Sequence, residues 1–499
     1  MPPHLRPASL ALCALFLSVS SALAEDATLS ARDGSMSVSG RLLSHDGETY
    51  RLDTRWGPLT VDASAVDCTG PACPDLKRIA PELRIAIAPW LEERLLMPLL
   101  QSYAAGHGME LRQAEGADHL QLVRGDQRIE LQLRLLHHDG MPGSAGIADA
   151  QAIIGSPPPG SPSGRLIAHL PLTLVSAADA RDGGFEIDQL AEWRAAPGRW
   201  PDERHRVIWH VLPGQAMAAH PGLGPVGHAG VKPAAEPAAL AQALQQDPWG
   251  LALWPGPVPA GLKARPLMGS CGMLLDTSDL AAAAGEHPLA MPLHWIDAPG
   301  RLPEPARALR NWLASPEAAR SLQGLGLTTA LSQPPVVLHD QGARLFNAML
   351  ATDEEITVGQ LQAAMSELSE ASRLPFTFRL DHQGNLDAGS RSALTDLSNR
   401  LGSGSWPEAE ILFIGFTTRD GEAQRNEITG MMRAQTVVRA LSQAHPDLAR
   451  SHVLTAMSLG ELMPIGCDAT EAGRVMNSRV EVWIRPGRRF SPDSPASAD

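Results

Sequence analysis

The chain has 499 residues and a formal net charge of −14, from 41 lysines and arginines against 55 aspartates and glutamates. This length allows two or three domains, each with a core of its own. The negative charge argues against nucleic acid as a partner, because binding to a phosphate backbone requires a basic surface.

Residues 1–24 are typical of a secretory signal peptide. Arg6 provides a short basic segment, and the apolar run at 10–19 is too short to span a bilayer. The Ala-Leu-Ala sequence at 22–24 has the small-residue pattern that signal peptidase requires. We therefore predict cleavage before Glu25, export to the periplasm, and no transmembrane segment in the mature chain.

Residues 25–80 are predicted to form a small β module. The segments SVSGRLL, TYRLDT and GPLTVDA are short, alternate in polarity and are separated by Asp-Gly or Trp-Gly turns. Cys68 and Cys73 flank a turn-forming Thr-Gly-Pro-Ala stretch, and an oxidising compartment favours a disulfide between them. Cys271 and Cys467 lie in different predicted domains, so their pairing stays open.

Over residues 81–335 the pattern changes to strands that alternate with helices. LRIAIA is typical of a buried strand, and an amphipathic helix is predicted at 91–105. QAIIG, RLIAHLPLTLVSA and VIWHVL have the pattern of further strands, and a helix is predicted at 304–322. This alternation predicts an α/β body.

The remainder is predicted to contain a helical connector, a second α/β domain and a tail. The connector occupies 336–371, the domain 372–487, and the Pro/Ser/Asp-rich tail 488–499 is expected to be disordered. Periodicity predicts helices at 358–372, 387–401, 426–444 and 470–477, and strands at 376–380, 411–416, 453–459 and 479–484.

The C-terminal domain carries several motifs in a fixed order. ILFIGFTTRDGEAQRNEITGMMRAQTVVRAL and LGELMPIGCDATEAGRVMNSRVEVWI resemble the OmpA-like peptidoglycan-associated domain, over about residues 372–486. The resemblance implies that Arg433 binds the carboxylate of diaminopimelate in the cell-wall peptide and that Asn426 assists. Arg479 matches the second arginine of the closing motif. Thr418 stands where the family has the aspartate that binds the ligand ammonium.

Thr418 is the most important departure from that family. A threonine hydroxyl accepts a hydrogen bond but cannot neutralise an ammonium group. The lost charge-assisted contact is worth about 1.5–3 kcal/mol, or roughly ten- to a hundred-fold in affinity. Asp420 is an alternative source of the carboxylate. Two hypotheses follow: the domain binds peptidoglycan weakly, or it keeps the fold without the ligand.

The body also has a family resemblance. Leu-Met-Pro at 96–98, QAIIGSPPP and FEIDQLAEW resemble phosphate-type periplasmic substrate-binding proteins, in particular those fused to an OmpA-like domain. The phosphate-binding loops of that family fall here on 88–91, 155–158 and 213–215. Pro89 lacks an N–H donor and Leu91 lacks a hydroxyl, so we do not expect phosphate binding.

Enzyme signatures are weak. The Ser270-Cys271 pair could supply a nucleophile, but no base can be assigned, and a disulfide is favoured. The His-His-Asp sequence at 137–139 could ligate a metal, but adjacent histidines before a glycine are more typical of a solvated turn. We therefore predict no catalytic residue, no metal site and no cofactor.

The sequence as a whole predicts three structured parts: a small β module, a periplasmic-binding-protein-like α/β body and an OmpA-like α/β sandwich. The predicted function is a non-catalytic cell-envelope protein. Its binding or scaffold body would be tethered to the cell wall or outer membrane through a degenerate peptidoglycan site. Peptidoglycan and another envelope protein are the expected partners. The alternative is a solute receptor of an ABC importer whose ligand is not phosphate.

Overall fold

The protein was analysed as a computed structural model. The residues that it describes are 26–31, 36–45, 49–73, 80–88, 91–114, 116, 118–125, 128–137, 148–154, 164–196, 198–199, 204–211, 219–220, 223–225, 230–298, 302–354, 356–381, 383–406 and 409–486. The predicted signal peptide and C-terminal tail lie outside these residues. The chain divides into two compact units, Met1–Pro81 and Glu82–Asp499.

The first unit contains a five-stranded antiparallel sheet. Its strands are β1 Asp26–Ala31, β2 Ser37–His45, β3 Thr49–Thr54, β4 Gly57–Asp62 and β5 Val66–Thr69, in the order β4-β3-β2-β1-β5. Leu29, Tyr50 and Leu52 form its small core. Cys68 and Cys73 form the predicted disulfide, with their Cα atoms 5.8 Å apart.

Two larger sheets form the body of the second unit. Its strands are β6 Glu82–Ile87, β7 Met109–Gln113, β8 His119–Arg124, β9 Arg128–His137, β10 Ala150–Ile154, β11 Arg165–Leu170, β12 Leu172–Ala177, β13 Phe185–Glu186, β14 Ile208–Val211, β15 Ala219–His220, β16 Gly224–Pro225, β17 Val231–Pro233, β18 Gly250–Pro255, β19 Leu262–Ala264, β20 Leu267–Met268 and β21 Met291–Asp297. One sheet has the order β11-β21-β10-β6-β9-β8-β7, and the other β17-β14-β18-β12-β19. The pairs β13-β20 and β15-β16 are separate. A single hydrophobic core contains residues of both large sheets.

The sequence predicted only some of the helices of the body. They are α1 Met97–Gly106, which continues a π-helical turn at Glu92–Leu96, α2 Ile187–Ala195, α3 Pro237–Gln245, α4 Asp279–Ala283, α5 Glu304–Trp312 and α6 Pro316–Gly324. The prediction of a single helix at 304–322 is wrong, because two helices occupy this segment. Ser315 starts the second by accepting a hydrogen bond from the Ala318 N–H, and Pro316 follows at the first position.

The C-terminal part is built on one five-stranded sheet. Its strands are β22 Val336–Val337, β23 Ser372–Phe378, β24 Ala409–Phe416, β25 Val453–Gly460 and β26 Arg479–Pro486, in the order β22-β23-β26-β24-β25. Its helices are α7 Gly342–Leu350, α8 Val358–Leu368, α9 Ala388–Gly402, α10 Ala423–Ala444, α11 Pro446–Ser451 and α12 Glu471–Asn477. The mixed α/β architecture agrees with the predicted fold class.

Helices cover both faces of this sheet. Val480 and Val482 of β26 face a core shared with α9 and α10. Trp483 faces the opposite core, to which α7 and α8 contribute. The alternation of β26 thus places its residues in two cores, as a strand with a period of two requires. Residues 336–371, predicted as a connector, supply β22, α7 and α8 of this layered structure.

The body and the C-terminal sheet are joined by covalent and polar contacts. Cys271 and Cys467, whose pairing the sequence left open, form a disulfide. The Leu274 N–H donates to the side-chain oxygen of Asn347, whose amide donates back to the Leu274 carbonyl. In the described part of the chain, no helix combines the length and apolarity needed to cross a membrane.

Candidate functional site

Three of the four predicted peptidoglycan-binding residues, Thr418, Asn426 and Arg433, lie at one edge of the C-terminal sheet. β24 and β25 run parallel, so their carboxyl ends meet there. The Thr417 N–H donates to the Gly460 carbonyl oxygen at 2.8 Å, which joins the segments that follow the two strands. The long helix α10 begins at Ala423, a few residues beyond β24. The loop after β24, the carboxyl ends of β24 and β25 and the N-terminus of α10 therefore meet at this edge.

Two glycines allow α10 to lie directly against β24. A Cβ atom on Gly415 would be 1.9 Å from the carbonyl oxygen of Gly430, and one on Gly430 would be 2.3 Å from Ser458 Oγ. Neither position can carry a side chain without moving the helix away from the sheet. This close contact lets Arg433, one turn beyond Gly430, reach the end of β24.

Arg433 is half-buried at this edge. Its Nη1 donates to the Phe416 carbonyl oxygen at 3.0 Å. It makes no ion pair with any carboxylate in the described part of the chain. Burial lowers the pKa of this guanidinium below its usual value. Among the described residues, this cation therefore has one hydrogen-bond partner, a neutral carbonyl.

The loop after β24 is held by residues on both sides of Thr418. The Arg419 N–H donates to Asp468 Oδ2 at 3.0 Å, and Arg419 Nη2 donates to Asp353 Oδ2 at 2.6 Å. Thr418 is half-buried, whereas Asp420 is exposed. Neither makes a hydrogen bond or ion pair with another described residue. The structure thus leaves the Thr418 hydroxyl available at the edge.

Asn426 is buried and has a carboxylate partner. Its Nδ2 donates to Oε2 of Glu461, the residue directly after β25. The exposed fractions are 5% for Asn426 and 7% for Glu461. Glu461 was missed in the sequence analysis, although it stands in the quoted LGELMPIG segment. An acidic residue directly after a predicted strand was the signal that could have identified it.

Arg479 lies in the protein interior instead of on the edge surface. It is fully buried, its Nε donates to Glu481 Oε1 at 2.7 Å, and its Cζ lies 4.1 Å from the centroid of the Phe416 ring. Burial lowers its pKa to about 10. The structure therefore brings Thr418, Asn426 and Arg433 to one edge, while Arg479 supports Phe416 from within.

A cavity of about 470 Å³ adjoins the edge. It lies between α8, the first turn of α10 and the end of β25. Apolar walls come from Ile356, Leu459 and Leu462, and carboxylates come from Glu427 and Glu461. The cavity can therefore accept an apolar group that carries a positive charge.

Cys271 and His137, considered for enzyme or metal chemistry, have other partners, whereas residues 138 and 139 lie outside the described residues. Cys271 is bonded to Cys467. His137 contacts Glu92 through Nε2 and lies 3.4 Å from Asp118 through Nδ1. No group of three or more potential metal-ligating side chains occurs in the residues that the structure describes.

The predicted phosphate loops are only partly described. Leu91 is buried, and its N–H donates to the Ala88 carbonyl oxygen at 2.9 Å. Pro89, residues 155–158 and residues 213–215 lie outside the described residues. At position 91 both the side chain and the N–H are therefore used within the protein.

Comparison with known proteins shows similarity only among solved structures; no family model and no curated protein matches the chain. The chain is similar to an ABC-type phosphate transport receptor from Vibrio cholerae, with 10% identity and a TM-score of 0.39 over 50% of this chain and 99% of that one. The peptidoglycan-associated lipoprotein from Burkholderia pseudomallei shows 26% identity and a TM-score of 0.19 over 22% of this chain and 89% of that one. The periplasmic domain of Helicobacter pylori MotB shows 16% identity and a TM-score of 0.20 over 23% of this chain and 75% of that one. Both kinds of protein that the sequence resembles are thus represented among the similar structures.

Proposed function

We propose that this chain is a non-catalytic periplasmic protein whose C-terminal domain holds it at the cell wall by binding a peptidoglycan stem peptide. The observation that carries the proposal is the half-buried guanidinium of Arg433, which has no carboxylate partner among the described residues. It lies beside Thr418 and Asn426 at the carboxyl edge of β24 and β25. The body is then a scaffold or binding module that this domain positions.

The chemistry of Arg433 favours a carboxylate ligand. A guanidinium has five N–H donors, and the structure shows one of them on the Phe416 carbonyl. Partial burial disfavours a cation that lacks a counter-charge, and the lowered pKa of Arg433 expresses this cost. A carboxylate bound to the remaining donors would remove it, because arginine and carboxylate match in geometry and charge.

Arg479 and Asn426 support this site without contacting solvent. Arg479 packs on the Phe416 ring, and the Phe416 carbonyl in turn accepts from Arg433. Asn426 donates to Glu461 at the neighbouring strand end. In this proposal both residues position the edge, while Arg433 contacts the ligand.

Restoring a carboxylate at position 418 tests whether the edge still is a ligand site. The full chain with Thr418→Asp should bind a diaminopimelate-containing muropeptide more tightly by about 1–3 kcal/mol, the value of one charge-assisted contact. Thr395→Asp, at an exposed threonine of α9, is the matched control for added charge. Titration calorimetry of wild type and both variants gives the answer. Equal affinity of all three proteins would contradict the proposal.

A further inference from the structure

The cavity beside the edge combines apolar walls with negative charge. Ile356 and Leu462 supply apolar surface, and three glutamates, Glu367, Glu427 and Glu461, also line it. No lysine or arginine is among its described lining residues. One of the three carboxylates has a cationic partner, since Glu367 accepts from Arg485 Nη1 at 2.8 Å and shares this arginine with Glu410. The charges of Glu427 and Glu461 remain.

Glu461 is the most buried of these carboxylates. It accepts from the neutral amide of Asn426 through Oε2, and Oε1 has no hydrogen-bond partner among the described residues. It makes no ion pair within the described part of the chain. A buried carboxylate with only a neutral partner gains strongly from a cation that reaches it. The cavity provides the space in which a ligand cation can do so.

The N-terminus of α10 opposes a cation here. Ala423 and Gln424 of its first turn line the cavity, and a helix N-terminus carries roughly half a positive charge. Glu427 and Glu461 together carry two negative charges, so the carboxylates outweigh the helix. The same N-terminus attracts a ligand carboxylate, as Arg433 does. A zwitterionic ligand therefore fits this edge better than a simple cation or anion.

Glu461 and Thr418 lie at the ends of two neighbouring parallel strands, offset by one residue, because Phe416 pairs with Gly460. Thr418 follows Thr417, and Glu461 follows Gly460, and the Thr417 N–H donates to the Gly460 carbonyl. Glu461 is therefore opposite Thr417, and Thr418 is the next residue along the neighbouring strand. A carboxylate at either position lies at the same carboxyl edge, where Arg433 reaches the Phe416 carbonyl.

We propose that this cavity binds a primary alkylammonium group, and that Glu461, oriented by Asn426, supplies the carboxylate missing at position 418. For a cell-wall peptide this inference rests on the proposed function. The ligand would then place its carboxylate on Arg433, its ammonium on Glu461 and its alkyl chain against Ile356 and Leu462. The cavity itself would also take a simple diamine.

The test uses the full chain and two probes, a diaminopimelate-containing muropeptide and pentane-1,5-diamine. Glu461→Gln removes the charge but still accepts the hydrogen bond of Asn426, so the fold is retained. We expect this variant to bind both probes about ten- to a hundred-fold more weakly, as loss of a charge-assisted contact predicts. Glu471→Gln on α12 is the control, because that side chain is 80% exposed. It should bind both probes like the wild type.

A second variant tests whether a carboxylate at position 418 can replace the one at position 461. Thr418→Asp in the Glu461→Gln background should restore most of the muropeptide affinity. Loss without rescue would contradict the arrangement in which Glu461 takes the place of a carboxylate at position 418. Muropeptide binding that is insensitive to Glu461→Gln would overturn the inference and leave the proposed function intact. Glu461-dependent diamine binding without muropeptide binding would support the alkylammonium site in the cavity and overturn the proposed function. Binding of neither probe would overturn both the alkylammonium site and the proposed function.

Discussion

Glu286 Oε1 of the body lies 2.6 Å from Arg373 Nη2 of β23, with the two side chains 4% and 1% exposed. Thr377 Oγ1 donates to the same carboxylate oxygen at 2.7 Å. Arg373 Nε also lies 3.2 Å from Glu481 Oε2, and Glu481 accepts from Arg344 and Arg479. A buried set of charged side chains therefore runs from the body into the C-terminal sheet.

Removing Glu286 should destabilise the protein strongly. Glu286→Ala leaves Arg373 buried without its body partner, and breaking a buried ion pair in this way costs about 3–5 kcal/mol. Glu317→Ala is the control, since Glu317 and Arg320 form an exposed pair, 3.4 Å apart, worth about 0–1 kcal/mol. The urea midpoint should fall clearly for the first variant only. Similar midpoints would show that the buried pair contributes little.

Acid should weaken the same ion-pair network. Burial opposes ionisation of Glu481, but the Arg344, Arg373 and Arg479 guanidiniums outweigh it and lower the pKa of that carboxyl. Arg373 likewise outweighs the burial of Glu286 and lowers its pKa. Because both folded-state pKa values lie below the unfolded ones, their stabilisation is present above about pH 4.5 and is lost as the pH falls further.

Asp396 should have the opposite effect on the pH dependence of stability from Glu286 and Glu481. Burial raises its pKa to about 6, and Arg165, 3.8 Å away, only partly offsets this. The folded protein therefore holds a proton that the unfolded chain has released, and the contribution of Asp396 to stability falls as the pH rises from about 4 to 6. The free energy of unfolding of Asp396→Asn, relative to that of wild type, should therefore increase by about 2–3 kcal/mol between pH 4 and pH 7.

The Asp396 measurement requires a difference between two proteins. Burial lowers the pKa of His169 to about 4, so its contribution to stability rises with pH over the same range. This contribution is common to wild type and Asp396→Asn and cancels when their unfolding free energies are subtracted. A difference that does not change between pH 4 and pH 7 would show that Asp396 ionises normally in the folded protein.

The Cys271–Cys467 disulfide should stabilise the second unit as a whole. It closes a loop with a sequence separation of 196 residues, and constraint of the unfolded chain by such a loop is worth about 2–5 kcal/mol. Cys271→Ser with Cys467→Ser should lower the unfolding midpoint by a corresponding amount. Peptide mapping without reductant should find the two cysteines in one linked fragment of the wild type. Free thiols at both positions would contradict the pairing.

Much of the C-terminal fold was predictable because its strands are marked by continuous apolar runs, as in β24, or by alternation of polarity, as in β26. Strands predicted at 411–416, 453–459 and 479–484 occur as β24, β25 and β26, each extended by one or two residues. The break in the helix predicted at 304–322 was missed, although Ser315-Pro316 is a helix-start signal. The Cys271–Cys467 pair could not be predicted, because nothing local relates residues 196 positions apart.

The candidate site was predictable only where a motif marked it. Thr418, Asn426 and Arg433 follow from the motif order, and the structure places them at one edge. Arg479 belongs to the same motif but lies in the core, because alternation along β26 places it beside Glu481 and Trp483 on an inward face. Glu461 carried a sequence signal, its place directly after a predicted strand, but its contact with Asn426 depends on how α10 packs against β25.

Binding of the full chain to purified peptidoglycan tests the central claim most directly. Wild type should co-sediment with the cell wall. The control Arg439→Ala should also co-sediment. Arg439 is an exposed arginine of α10, the helix that carries Arg433, and its side chain contacts Thr436. Arg433→Ala should stay in the supernatant, because the ligand carboxylate would lose its partner. Arg433→Lys keeps the charge without the bidentate geometry and should bind at an intermediate level. Co-sedimentation of Arg433→Ala to the wild-type extent would contradict the account.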